Sequence, residues 1–169
     1  MIITVDDLCL SYLDNFAYFD EIKRKYSEFK MIVFAIANNK NEELLVESDI
    51  FKTWFDQHKD WVEVAVHSND HKYPPDGDRD DEEFWIRKAL RGLLPFLPVD
   101  YGYRSPGWQT TNKTVGILKK LNFKYIAYET MIKDLKEWKI IEKFVLNSHL
   151  YDVDSIKGLG VKINEILRN

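Results

Sequence analysis

The chain has 169 residues and a formal net charge of −4, which argues against a nucleic-acid partner, because gripping phosphates takes a clustered excess of Lys and Arg. Hydrophobic residues at 45% and charged residues at 31% fit one ordinary globular domain over 1–169, and no apolar run approaches the ~20 residues that span a bilayer. The opening "MIITVDDLCL" lacks the basic start of an export signal, and the single Cys9 has no partner for an intramolecular disulfide, so the expected setting is cytosolic with no membrane partner.

In chain order, "MIITV" (1–5) is a short β-branched run and "FAYFDEIKRKYSEF" (16–29) has apolar residues near helical spacing. "MIVFAIA" (31–37) reads as a strand buried on both faces. Ser48 is placed to cap a helix over 48–58 whose stripe is Ile50, Phe51, Trp54 and Phe55. "VEVAV" (62–66) is strand-like, and "DDEEFWIRKALRGLL" (80–94) carries acids first and bases later, as a helix dipole favours. A strand over 99–104, a helix over 111–121 and strands over 123–128 and 140–147 follow. A helix over 154–167, weakened by Gly158 and Gly160, closes the chain. Six strands alternating with helices predict an α/β fold with a parallel sheet and helices outside it. The acidic stretch "YPPDGDRDD" (73–81) reads as a solvated loop leading into a helix.

The titratable residues fall repeatedly at strand ends. Asp6 and Asp7 follow the first strand, His67 and His71 the third, Arg104 ends the fourth, and His149 lies just past the last. In parallel α/β architectures that is the edge where ligand chemistry gathers. Two histidines at i and i+4 can share one metal ion if the segment makes a single turn or a tight loop, since Pro74 and Pro75 forbid a long helix. Taken alone, each imidazole could equally hydrogen-bond a carbonyl; the acid pair on a neighbouring strand end favours a metal site of two imidazoles and a carboxylate. His58, near a helix C-terminus, and Cys9, a small core residue, are assigned no chemistry.

The motifs "TVDD" (4–7), "HSNDH" (67–71), "RSPGW" (104–108) and "LNSH" (146–149) resemble, in order, those of the polysaccharide deacetylases, the NodB-homology domain of carbohydrate esterase family four. The resemblance runs over nearly the whole chain. It implies a distorted, compact (β/α) barrel of about six or seven strands that removes acetyl groups, most often N-acetyl, from a carbohydrate. It further implies that Asp7, His67 and His71 hold Zn²⁺ or another divalent ion, that Asp6 is the base oriented by Arg104, and that Gly107 donates its N–H to the oxyanion. His149 would be the general acid and Leu146 would line the acetyl pocket. Trp108 suits sugar stacking and core packing equally, with Tyr103 and Tyr73 as further stacking candidates. Two features depart from the pattern. Leu8 stands where the first motif commonly has Gly, and no clear acid supports His149, with Asp134, Glu137–Trp138 and Asp152 as candidates.

Overall fold

The computed structural model describes residues 2–71, 81–143 and 145–167. The elements run β1 (Ile2–Leu8), α1 (Ala17–Lys25), β2 (Met31–Ala35), β3 (Asn38–Asn39), β4 (Glu43–Leu44), α2 (Asp49–His58) and β5 (Val62–Val66). They continue with α3 (Glu82–Leu93), β6 (Gly102–Tyr103), α4 (Asn112–Lys120), β7 (Tyr125–Ala127), β8 (Ile132–Asp134), β9 (Ile140–Glu142), β10 (Val145–His149) and α5 (Val153–Leu167). Eight strands form one curled sheet in the order β10-β1-β2-β5-β6-β7-β8-β9, parallel from β10 to β7. This is the distorted (β/α) barrel, and no pairing of β9 with β10 closes the ring among the described residues. Nor is any described helix long and apolar enough to cross a membrane.

Several expectations needed correction. The apolar run 140–147 is two strands: β9 pairs antiparallel with β8 at one end of the sheet, and β10 pairs parallel with β1 at the other. A continuous apolar pattern does not reveal that its two halves join different ladders. β8 went unrecognised because Ile-Lys-Asp is short and polar, and it makes the sheet mixed rather than all parallel. The 16–29 helix is a 3₁₀ segment over Leu10–Phe16 followed by α1. Ser48 does cap α2, accepting from the Phe51 N–H, but Ile50 is 71% exposed because the buried stripe centres on Phe51, Trp54 and His58. Except for Asp81, the 73–81 loop, with the stacking role expected of Tyr73, lies outside the described residues.

Strand alternation sorts the side chains into two sets. Ile3, Val5, Met31, Val33, Ala35, Val62, Val64 and Val66 face the helices and build the main core with Phe16, Phe51, Trp54 and Leu118. Ile2, Ile32, Phe34, Ala65, Tyr125 and Val145 point inward and fill one end of the barrel. Thr4, Asp6, Arg104 and Asn147 share the inward side but form a hydrogen-bonded polar cluster. At the apolar end the Tyr125 hydroxyl donates to Glu63 at 2.6 Å. The Tyr125 ring lies so close over Gly102 that a Cβ there would sit 1.9 Å from it. Gly102→Ala should therefore destabilise the fold by about 1–3 kcal/mol through overpacking. Urea denaturation checks this, and an unchanged midpoint would show that Tyr125 can swing aside.

Candidate active site

Adjacent residues in a regular strand point to opposite faces, yet Asp6 and Asp7 are both buried. The pairing of β1 with β2 shifts register between Val5 and Leu8, and Asp7 takes φ 67°. This bulge turns the second carboxylate toward the same mouth as the first. A left-handed backbone at a non-glycine residue is costly and tends to occur at functional sites. Leu8, beyond the bulge, is fully buried in the helix-facing core and forms no part of the mouth.

The histidines arrive on β5. "HSNDH" is a tight bend rather than a helical turn, with Ser68 at φ 99° and His71 at φ 51°. It is pinned by Ala37 N–H to the Ser68 carbonyl, Asn38 N–H to the Asn69 carbonyl and His71 N–H to Ser68 Oγ. His67 Nδ1–H donates to the Arg104 carbonyl at 2.9 Å, which leaves Nε2 as a lone-pair donor facing the mouth. The Nε2 atoms of His67 and His71 lie 3.5 and 3.1 Å from Asp7 Oδ1.

These donors fit a cation. Asp7 Oδ1 is buried and accepts no hydrogen bond from the described residues, and donor atoms of Asp7, His67 and His71 all lie within 4.8 Å of one another. A tetrahedral ion with bonds of about 2.0–2.1 Å holds its ligand atoms roughly 3.3 Å apart, close to the 3.5 and 3.1 Å from Asp7 Oδ1 to the two imidazoles. Without an ion, protons must supply the positive charge. Burial works against an ionised Asp7, but the hydrogen bond from His149 and the positive charges of His67 and His71 outweigh it and hold the carboxyl well below its usual range. Burial lowers His67, yet Asp7 and Asp6 carry it above its ordinary value, while burial and the neighbouring His67 charge keep His71 below.

Asp7 also reaches across the mouth. Its Oδ2 accepts from His149 Nδ1–H at 2.9 Å, so one carboxylate faces His67 and His71 with one oxygen and His149 with the other. That bond outweighs burial and raises the His149 pKa. The partner sought for His149 is therefore Asp7. Asp134 is engaged instead by the Lys136 and Glu137 N–H groups. Asp152 receives the Asp154 and Ser155 N–H groups at the start of α5, and Trp138 lies against Lys119 and Lys133.

Beside this cluster Arg104 is fully buried, its NH1 on Asp6 Oδ1 at 2.6 Å, its NH2 on the Tyr128 carbonyl and its guanidinium 4.2 Å over the Phe34 ring. "SPGW" then turns sharply, with Gly107 at φ 60° and Trp108 at φ 57°, bringing the indole to 5.5 Å from the His149 ring. Gly107 sits exposed on this turn. Tyr151, 56% exposed, lies 5.2 Å from the His149 ring, and Tyr12 lies 6.2 Å from Tyr151. Two expected residues are elsewhere. Leu146 packs against the helix-facing core, because alternation along β10 points Asn147 and His149 inward instead. Tyr103 is fully buried in that same core and cannot stack on a ligand. Asn147, Tyr151 and Tyr12 were missed. Asn147 was visible as the residue two before His149, on the same strand face.

No protein-family model matches the sequence, and no curated protein does. Solved structures do. The Xyl-CE4 domain of a multidomain xylanase from the hindgut metagenome of Trinervitermes trinervoides matches with TM-score 0.66 and 17% identity, over 99% of this chain and 82% of that one. A family 4 carbohydrate esterase from Streptomyces lividans, in complex with acetate, matches with TM-score 0.67 and 10% identity, over 98% of this chain and 88% of that one. A CE4 family pseudoenzyme from Bacillus anthracis matches with TM-score 0.65 and 12% identity; 97% of this chain covers 60% of that one. The fold is thus the NodB-homology fold of the CE4 carbohydrate esterases.

An ion that binds only the native site stabilises it by about 2.7 kcal/mol at one hundred times its Kd. Zn²⁺ added to chelator-stripped protein should raise the melting temperature, and His67→Ala should abolish the rise. An equal rise in the variant would mean the ion sits elsewhere.

Proposed function

We propose that the chain is a metal-dependent deacetylase, one catalytic unit over 1–169, that hydrolyses acetyl groups, chiefly N-acetyl, on an amino sugar, oligosaccharide or polysaccharide and releases acetate. The observation that carries this reading is the double contact of Asp7, which sets His149 against the His67–His71 pair, with Asp6 and Arg104 alongside. Asp7, His67 and His71 would hold Zn²⁺ or another divalent ion, which when bound supplies Lewis acidity that polarises an acyl carbonyl and acidifies water.

The protein's own groups do the rest. Asp6, tied to Arg104, accepts the proton of the attacking water. The Gly107 N–H donates to the oxygen where negative charge develops. His149, its Nδ1 held by Asp7, gives the proton on Nε2 to the departing nitrogen, so an acetamide and water leave as acetate and a free amine. Trp108 and Tyr151 flank His149, and the Trp108 indole N–H is buried with no acceptor among the described residues. Apolar ring faces beside the general acid favour a sugar, which offers C–H faces, over a small non-sugar amide.

The pseudoenzyme of the same fold makes non-catalytic carbohydrate binding the second reading. Acetate release from N-acetylated oligosaccharides, O-acetylated polymers and small amides, assayed with Zn²⁺, separates the two. His149→Ala should keep the ion and lose about 10²–10⁴ in turnover, and Asp6→Asn should likewise be inactive. Saccharide binding with no acetate across a metal panel would favour the binding protein. Trp108→Ala should raise KM for an oligosaccharide roughly 2- to 10-fold, the value of one aromatic contact; an unchanged KM would remove Trp108 from the sugar site.

A further inference from the structure

We infer that Asn147 is a positioning residue that fixes the carboxylate plane of Asp6; this rests on the reading of Asp6 as the general base. Asp6 Oδ1 takes Arg104 NH1 at 2.6 Å, and Asp6 Oδ2 takes Asn147 Nδ2 at 3.2 Å. A carboxylate held through a single oxygen can still rotate about its Cβ–Cγ bond. The second anchor removes that freedom and leaves each oxygen a further lone pair for a proton.

The orientation of the Asn147 amide is itself determined. Its Oδ1 accepts from Thr4 Oγ1 at 2.9 Å and from Arg104 NH1 at 3.0 Å. The guanidinium can only donate and the Asp6 carboxylate can only accept, so the amide oxygen must face Arg104 and the nitrogen must face Asp6. An aliphatic side chain of the same size would lose all three bonds. An aspartate would keep the acceptor for Thr4 and Arg104 but set an oxygen against Asp6 Oδ2, turning attraction into repulsion between carboxylates.

That difference makes Asn147→Asp the deciding variant, because a merely structural role, filling the Arg104 and Thr4 valences, survives it. Expected for zinc-loaded Asn147→Asp are a kcat lower by about 10²-fold, KM within twofold of wild type and the same metal content. Its crystal structure should show the Asp6 carboxylate turned out of its present plane. Asn147→Leu, where it folds, should show the same loss of turnover. A kcat for Asn147→Asp close to wild type, or an Asp6 carboxylate in unchanged orientation in the variant crystals, would overturn the inference. Should wild-type protein release no acetate from any acetylated substrate, the deacetylase reading falls by that result alone. The Asp6 orientation in the variant crystals then decides the positioning claim independently.

Discussion

Two neighbouring carboxylates have to be brought to one mouth from a strand whose geometry sends neighbours to opposite sides. The bulge between Val5 and Leu8 and the left-handed backbone at Asp7 accomplish this, at a conformational cost of roughly 1–3 kcal/mol. Every other feature of the site is arranged around the result. Asp7 meets His67, His71 and His149, while Asp6 meets Arg104 and Asn147. Straightening the strand would send one carboxylate into the helix-facing core, away from His67, His71 and Arg104.

Burying these charges is expensive, and the surrounding structure shows how the expense is met. An ion pair as deeply buried as Asp6–Arg104 is stable only when further hydrogen bonds satisfy the remaining valences. Here Thr4, Asn147 and the Tyr128 carbonyl supply most of them, and the Phe34 ring lies against the guanidinium. Arg104 Nε remains without a partner among the described residues. Such a network adds little net stability, but it holds its members in one arrangement, as proton transfer at a defined atom requires. At the far end of the barrel the inward side chains are apolar and the Tyr125 ring packs over Gly102.

The fold places these groups without dictating what they do, since esterases and a pseudoenzyme share it at similar overall likeness. The mouth of this chain brings together the donors of Asp7, His67 and His71, the Asp6–Arg104 pair and a half-buried His149 held by Asp7. The aromatic row of Trp108, Tyr151 and Tyr12 around His149 adds a surface suited to the flat faces of sugar rings.

The sequence by itself determined the alternation of strands and helices, the cap at Ser48, the buried central strands β2 and β5, and the gathering of Asp6, Asp7, His67, His71, Arg104 and His149 at strand ends. All of these are written in local period and order along the chain. Only the tertiary structure decided that the apolar run 140–147 divides between opposite ends of the sheet. It likewise decided that Leu146 and Tyr103 face the helices, that Asn147 looks inward at Asp6, and that His149 finds its carboxylate in Asp7, 142 positions away. Periodicity tells which residues share a face of one element, but not which element lies opposite. That is set by strand pairing and by a one-residue bulge, which leave no mark in the hydrophobic pattern.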